Sequence, residues 1–153
     1  MVYLIGVDHI IQHSGYMNSE KECAITDFQH YLRDQVQSLG VTLLAEEFST
    51  DALQLNGVSV STVGQVAREI GLRHLLCDPG REERRNLEIS TIAAREAYWI
   101  QRLRLFKENE TIFVCGDDHI SSFSNVLHSA NWSCRVLGTG WGSPLNPMRR
   151  ENV

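Results

Sequence analysis

Five short runs in which apolar residues follow one another, and do not fall on alternate positions, set the limits on what this chain can fold into. They are Val2-Tyr3-Leu4-Ile5, Val41-Thr42-Leu43-Leu44-Ala45, Leu75-Leu76-Cys77, Thr111-Ile112-Phe113-Val114-Cys115 and Ser133-Cys134-Arg135-Val136-Leu137. A strand with one wet face alternates apolar and polar residues; a strand covered on both faces does not. The segments between these runs carry helical periodicity. Ile25, Phe28, Leu32, Val36 and Leu39 share one helix face, with Ser19 and Glu22 spaced as a capping box and Gly40 as the stop. Val63, Val66 and Ile70 repeat the pattern between a Thr62/Gln65 box and Gly71, and Ile92, Trp99, Leu103 and Phe106 define a third helix. Phe123, Val126, Leu127 and Ala130 define a fourth. The order β-α-β-α-β-α-β-α-β predicts a three-layer α/β sandwich. Its mainly parallel five-stranded sheet carries helices on both faces, joined by right-handed crossovers. A strand order of 3-2-1-4-5 is expected. At 153 residues the chain has the length of one domain. Residues 1–142 are read as that domain. Gly138 onward reads as a closing loop that leads into a C-terminal tail over 143–153, where Pro144 and Pro147 oppose further helix.

Charge and punctuation exclude several function classes. The net charge of −5 argues against a nucleic-acid backbone as partner, because counterion release needs a basic face. No apolar run approaches the roughly 20 residues of a membrane span. The start, MVYLIGVDH, lacks the basic onset and long apolar stretch of a secretory signal, so a cytoplasmic location is expected. Cys23, Cys77, Cys115 and Cys134 form no CxxC pair and read as reduced residues, three of them in strands. GTGWG near the C-terminus lacks the Lys-Ser/Thr and helix that a phosphate loop requires.

In an open α/β sheet, ligands bind beyond the carboxyl ends of the strands, where the strand order reverses. The residues at those ends are informative. The first strand runs into Gly6-Val7-Asp8-His9, the second into Glu46-Glu47, the third into Asp78-Pro79-Gly80 and the fourth into Gly116-Asp117-Asp118-His119. Two of the four ends read GxDH. With the first and fourth strands adjacent, His9 and His119 face each other across the crevice and a glutamate approaches from the second strand. Two imidazoles and one carboxylate make a common catalytic metal set with an open position. Each feature also has a structural explanation. Asp8, Asp117 and Asp118 are good turn or helix caps. Strand alternation sends one of Glu46 and Glu47 to the crevice and the other toward solvent, without saying which. Arg95 falls on or beside the apolar stripe of the third helix, with Glu96 nearby. A charge there needs an internal partner or holds an anion. The run from Arg81 to Arg85 reads as a solvated face or a lid.

Together these motifs resemble the TraB/PrgY/GumN/Tiki group and, more distantly, the erythromycin-esterase and ChaN-like proteins. The resemblance lies in a GxxH after the first strand (Gly6, His9), a glutamate after a later strand (Glu46 or Glu47), an arginine on a helix (Arg95) and a second GxxH (Gly116, His119). It implies an α/β fold and, from the Tiki-like members, a divalent-metal-dependent peptidase activity; ChaN-like relatives imply haem or iron binding instead. The chain is much shorter than typical members of the group, and the Asp before each His is its own.

The expectation is therefore a metal-dependent hydrolase acting on a small molecule or peptide. Its Mn, Co or Zn ion would be held by His9, His119 and Glu47, with Glu46 or Glu47 as general base and Arg95 steadying an anionic transition state. The alternative is a non-catalytic module binding haem, metal or a small anion in the same crevice. An open sheet edge leaves room for a homodimer.

Overall fold

The computed structural model describes residues 1–15 and 17–142; the expected tail over 143–153 lies outside them. Five strands form one all-parallel sheet: β1 (Val2–Val7), β2 (Leu43–Glu46), β3 (Arg73–Leu76), β4 (Thr111–Gly116) and β5 (Cys134–Trp141). Six helices connect them: α1 (Ser19–Leu39), α2 (Thr50–Leu55), α3 (Thr62–Glu69), α4 (Arg81–Asn86), α5 (Ile92–Arg104) and α6 (Ile120–Ser129). Two 3-10 turns, His9–Ile11 and Asp117–His119, follow β1 and β4.

Period-two alternation divides the strand residues between two cores. Ile5, Val7, Leu44, Ile112 and Val114 face α1 and α3, meeting Phe28, Leu32, Val63 and Val66. Val2, Leu4, Ala45, Phe113 and Cys115 face α5 and α6, meeting Trp99, Leu103, Phe123 and Leu127. Both faces of the central strands are dry, which explains the unbroken apolar runs. The layers are those of a three-layer sandwich. Helices lie on one face while the chain steps from β1 toward β3, and on the other as it returns to β5, as crossovers of a single hand require.

The strand order is β3-β2-β4-β1-β5, not 3-2-1-4-5. The strands β1 and β4 remain neighbours, in register from Val2↔Thr111 to Val7↔Gly116, but β4 lies between β1 and β2. The site gains from this exchange, because β2 now ends beside the second GxDH and not beside the first.

Local boundaries differ from expectation at several points. The α1 helix is capped by Asn18, whose Oδ1 accepts the Lys21 amide at 2.8 Å, and not by Ser19. Ser61, not Thr62, caps α3. Gly40 does end α1, in the left-handed conformation at φ 64°. The expected closing loop from Gly138 is strand as far as Trp141, irregularly paired with β1. Two short helices, α2 and α4, occupy segments with no apolar period. The α4 helix buries none of its residues and is tied down by polar bonds: Arg84 to Asp78, Tyr98 to Glu83 and the Arg81 amide to Asp51. Among the described residues no helix is long and apolar enough to cross a membrane.

Candidate functional site

The crevice at the carboxyl ends of β1, β2 and β4 encloses about 320 Å³ and is lined by residues that include His9, Glu47, Arg95 and His119. Glu47 lies at its floor. It follows β2 directly, its amide donates to the Val114 carbonyl of β4 at 2.8 Å, and it is almost fully buried. Oε2 accepts the Gly116 amide at 2.8 Å. Oε1 accepts from an Arg95 guanidinium nitrogen at 2.6 Å and lies 3.3 Å from His119 Nε2 and 3.9 Å from His9 Nε2.

Arg95 and Glu96 reach the site because α5 packs Trp99 into the core. Residues three and four positions apart on a helix share a face, so Arg95 and Glu96 are carried to the sheet side with it. Arg95 donates from Nε to Asp78 Oδ1 at 2.9 Å, and its guanidinium lies 5.5 Å from the centre of the Trp99 ring. Trp99 Nε1 donates to the same Asp78 oxygen at 3.1 Å. Glu96, buried in α5, accepts from His119 Nδ1 at 2.8 Å and from the Ser122 hydroxyl. Thus His119 is held between two carboxylates, one on each ring nitrogen.

These contacts set the charge states. The hydrogen bond to Glu47 raises the His119 pKa above 6.5; burial opposes the rise, and the bond to Glu96 adds to it. Burial pushes the Glu47 carboxyl up, but the His119 hydrogen bond, the charge of His9 and the Gly116 amide outweigh it and hold Glu47 below 4.5. Burial likewise works against the Arg95 charge, and Asp78 and Glu47 more than offset it. Glu47 is thus bridged to the His119 ring and the Arg95 guanidinium, and both contacts favour its ionised form.

The two GxDH motifs interlock through their glycines. A Cβ on Gly6 would lie 2.2 Å from Asp117 Oδ1, and one on Gly116 would lie 2.8 Å from His9 Nε2. Each motif's glycine makes room for a side chain of the other. Asp8 caps the first 3-10 turn through the Ile10 amide. Asp117 does not cap α6; it accepts the Gly140 amide at 2.8 Å and ties the end of β5 to the crevice.

The structure brings together four of the five expected site residues: His9, His119, Glu47 and Arg95. Glu46 lies apart. It is fully buried, not solvent-facing, and its carboxylate points to the opposite face of the sheet. There it accepts from Ser61, from His74 Nε2 at 2.7 Å and from Gln12 Nε2 at 3.3 Å. Gln12 and Glu96 were not foreseen as part of the site. Glu96 carried a signal, a charge on an apolar stripe; Gln12 carried none beyond its place three residues after His9. His30 and His128 are exposed on helices. The buried thiols of Cys77 and Cys115 are pushed up by burial, which removes them as nucleophiles.

The donor set suits a divalent cation in kind. Each imidazole has Nδ1 on a side-chain oxygen, His119 on Glu96 and His9 on Gln12, and turns Nε2 toward one oxygen of Glu47. In spacing, tetrahedral ligands at 2.1 Å from a metal stand about 3.4 Å apart. The His119–Glu47 separation of 3.3 Å matches that spacing, and His9 at 3.9 Å must close by about half an ångström. As they stand, no three His, Cys, Asp or Glu side chains among the described residues are grouped closely enough to hold a metal ion. His9 is the exposed member, with 54% of its side chain accessible.

Compared with known proteins, the chain matches no family model, no curated protein and no solved structure.

Proposed function

We propose that the chain is a metal-dependent hydrolase whose divalent cation is held by His9 Nε2, His119 Nε2 and Glu47, and whose substrate is an amide or ester in a small molecule or peptide. One observation carries the reading: two imidazoles from separate GxDH motifs, each anchored at Nδ1, direct Nε2 at the same carboxylate oxygen. The motifs' likeness to the Tiki-like group points the same way. A divalent cation in such a set acts as a Lewis acid on a carbonyl and acidifies water. The protein's own residues supply the rest. Glu96 holds His119 by Nδ1, so that the ring, once its Nε2 proton is released, would present Nε2 to the metal. Glu47, held ionised by three donors, acts as a ligand and not as a base. Arg95 lines the crevice with guanidinium N–H groups beyond those given to Asp78 and Glu47, and these can donate to a developing oxyanion.

The geometry disfavours the other expected ligands. The carboxylates, imidazoles and guanidinium that line the crevice suit a small cation better than the broad apolar faces of a haem. Asp8, Glu47, Asp117 and Asp118 around it outnumber Arg95 and oppose a small free anion.

Metal analysis of gently purified protein, with Mn, Co and Zn added back separately to chelator-treated samples, tests the proposal. One equivalent of metal is expected. At a hundredfold excess over Kd it should stabilise the fold by about 2.7 kcal/mol. His9→Ala, which alters a half-exposed side chain, should lose both effects while keeping its metal-free stability. Absence of bound metal together with absence of stabilisation by any of the three ions overturns the reading. Metal binding without turnover across an ester and peptide panel reduces it to a binding module.

A further inference from the structure

We propose that the buried carboxylate of Glu46, working through Gln12, fixes the tautomer of His9 so that its Nε2 is the bare, metal-binding nitrogen. Glu46 and Gln12 are thus positioning residues of the crevice, although neither lines it. The inference rests on the metal reading for its purpose, but the tautomer itself is a property of the metal-free protein.

The chain of hydrogen bonds runs in one direction. Glu46 sits among donors. Ser61 accepts the Gly64 amide on its own oxygen at 2.9 Å, so its hydroxyl hydrogen is directed to Glu46 Oε1. His74 Nε2 meets the same oxygen at 2.7 Å. Gly64 keeps this approach open, since a Cβ there would lie 3.0 Å from the His74 ring. In its ionised form a carboxylate accepts only. The Gln12 group 3.3 Å from Glu46 Oε2 must therefore be its NH2, because the flipped amide would set oxygen against oxygen. With the NH2 committed to Glu46, the carbonyl oxygen of Gln12 faces His9 Nδ1. A carbonyl cannot donate, so Nδ1 carries the proton of the neutral ring and Nε2 is left with a lone pair. Gln12 is fully buried, which makes the flipped, unpaired arrangement costly.

The backbone prepares the contact. His9–Ile11 is a 3-10 turn, closed by the Gln12 amide on the His9 carbonyl at 3.1 Å. With three residues per turn, positions i and i+3 eclipse, and the His9 and Gln12 side chains stack on one side. His119 has its Nδ1 held by a more direct route, with Glu96 on that nitrogen. Adjacent glutamates at the end of β2 thus serve one site from opposite faces: Glu47 as ligand, Glu46 as the group that orients another ligand.

Nitrogen-15 NMR of the imidazoles in chelator-treated protein, above the histidine titration, reads the tautomers directly. His9 is expected as Nδ1–H. Gln12→Met removes the acceptor and Glu46→Gln removes the acceptor-only partner that orients it. Each should lower the Nδ1–H to Nε2–H ratio of His9 by about tenfold, the worth of one hydrogen bond, with His119 unmoved as internal control. Urea midpoints confirm that both variants are folded. An Nε2–H His9 in the unaltered protein overturns the inference, and so does a His9 that stays Nδ1–H in either variant. Titration of the same samples with cobalt alone separates this from the metal reading. If no cobalt binds but the tautomers are as stated, the metal reading fails and the positioning role stands. If cobalt binds yet His9 is Nε2–H, the reverse holds.

Discussion

At the scale of single residues, the crevice is built from glycines as much as from its charged groups. Gly6 and Gly116 have ordinary backbone angles, and what they supply is space. The two substitutions should nevertheless differ in effect. A methyl at position 6 would meet the Asp117 carboxylate at 2.2 Å and Ile120 Cγ1 at 2.9 Å, in a site where Asp117 is also bonded to Gly140. Neither neighbour can retreat freely, so Gly6→Ala should cost about 1–3 kcal/mol in urea unfolding. A methyl at position 116 would meet the tip of His9, which is half-exposed and can swing outward. Gly116→Ala should cost under about 1 kcal/mol of stability yet weaken cobalt binding at least tenfold. Equal effects of the two variants on both quantities would contradict the interlocked arrangement. The motif itself was legible in the sequence. The reason for its glycine was not, because the residue each glycine accommodates lies more than a hundred positions away.

At the scale of elements, helix ends show how local signals are overridden. Ser19 and Glu22 have the spacing of a capping box, but Asn18 is the residue with extended backbone angles and an oxygen on the Lys21 amide. Asn18→Ala should therefore lower stability by about 1 kcal/mol. Ser19→Ala, at an exposed position inside the first turn, should change it by less than about 0.5 kcal/mol. The reverse ranking of urea midpoints would restore the box. Long amphipathic helices and the cores of strands were readable from periodicity alone. The short helices α2 and α4 were not, since six residues make no period and α4 is held by side-chain bonds to Asp78, Tyr98 and Asp51. The strand β5 was read short because Gly138 and Gly140 look like a loop. Its pairing with β1, and the Asp117 bond to Gly140, come from residues distant in sequence.

At the scale of the whole molecule, the Glu47–His119–Glu96 bridge ties β2, the β4 end and α5 together, and its stability depends on pH. The raised pKa of His119 contributes stability that is complete below 6.5 and is lost as pH rises through its folded value. The lowered pKa of Glu47 contributes stability present above 4.5 and lost as pH falls through its folded value. The contributions overlap between 4.5 and 6.5. Chelator-treated protein should exceed its His119→Gln variant in stability most within that window, with the gap narrowing on both sides. Arg95 and His9, the other charged groups facing Glu47, are common to both proteins. A gap independent of pH would mean that His119 contributes packing and not charge.

The layered parallel fold and the location of the site at the strand ends follow from one-dimensional signals. Unbroken apolar runs mean strands buried on both faces, helical periods mean covering helices, and crossover handedness constrains how they join. The exchange of β1 and β4 in the sheet could not be read this way. Either order buries the same faces with the same handedness, so periodicity does not distinguish them. The choice rests on how side chains meet across the sheet, and it has consequences for the chemistry. With β4 between β1 and β2, Glu47 comes to rest on the Gly116 amide and reaches both histidines. The same placement leaves Glu46 on the far face, where Ser61, His74 and Gln12 supply the donors that a buried carboxylate requires.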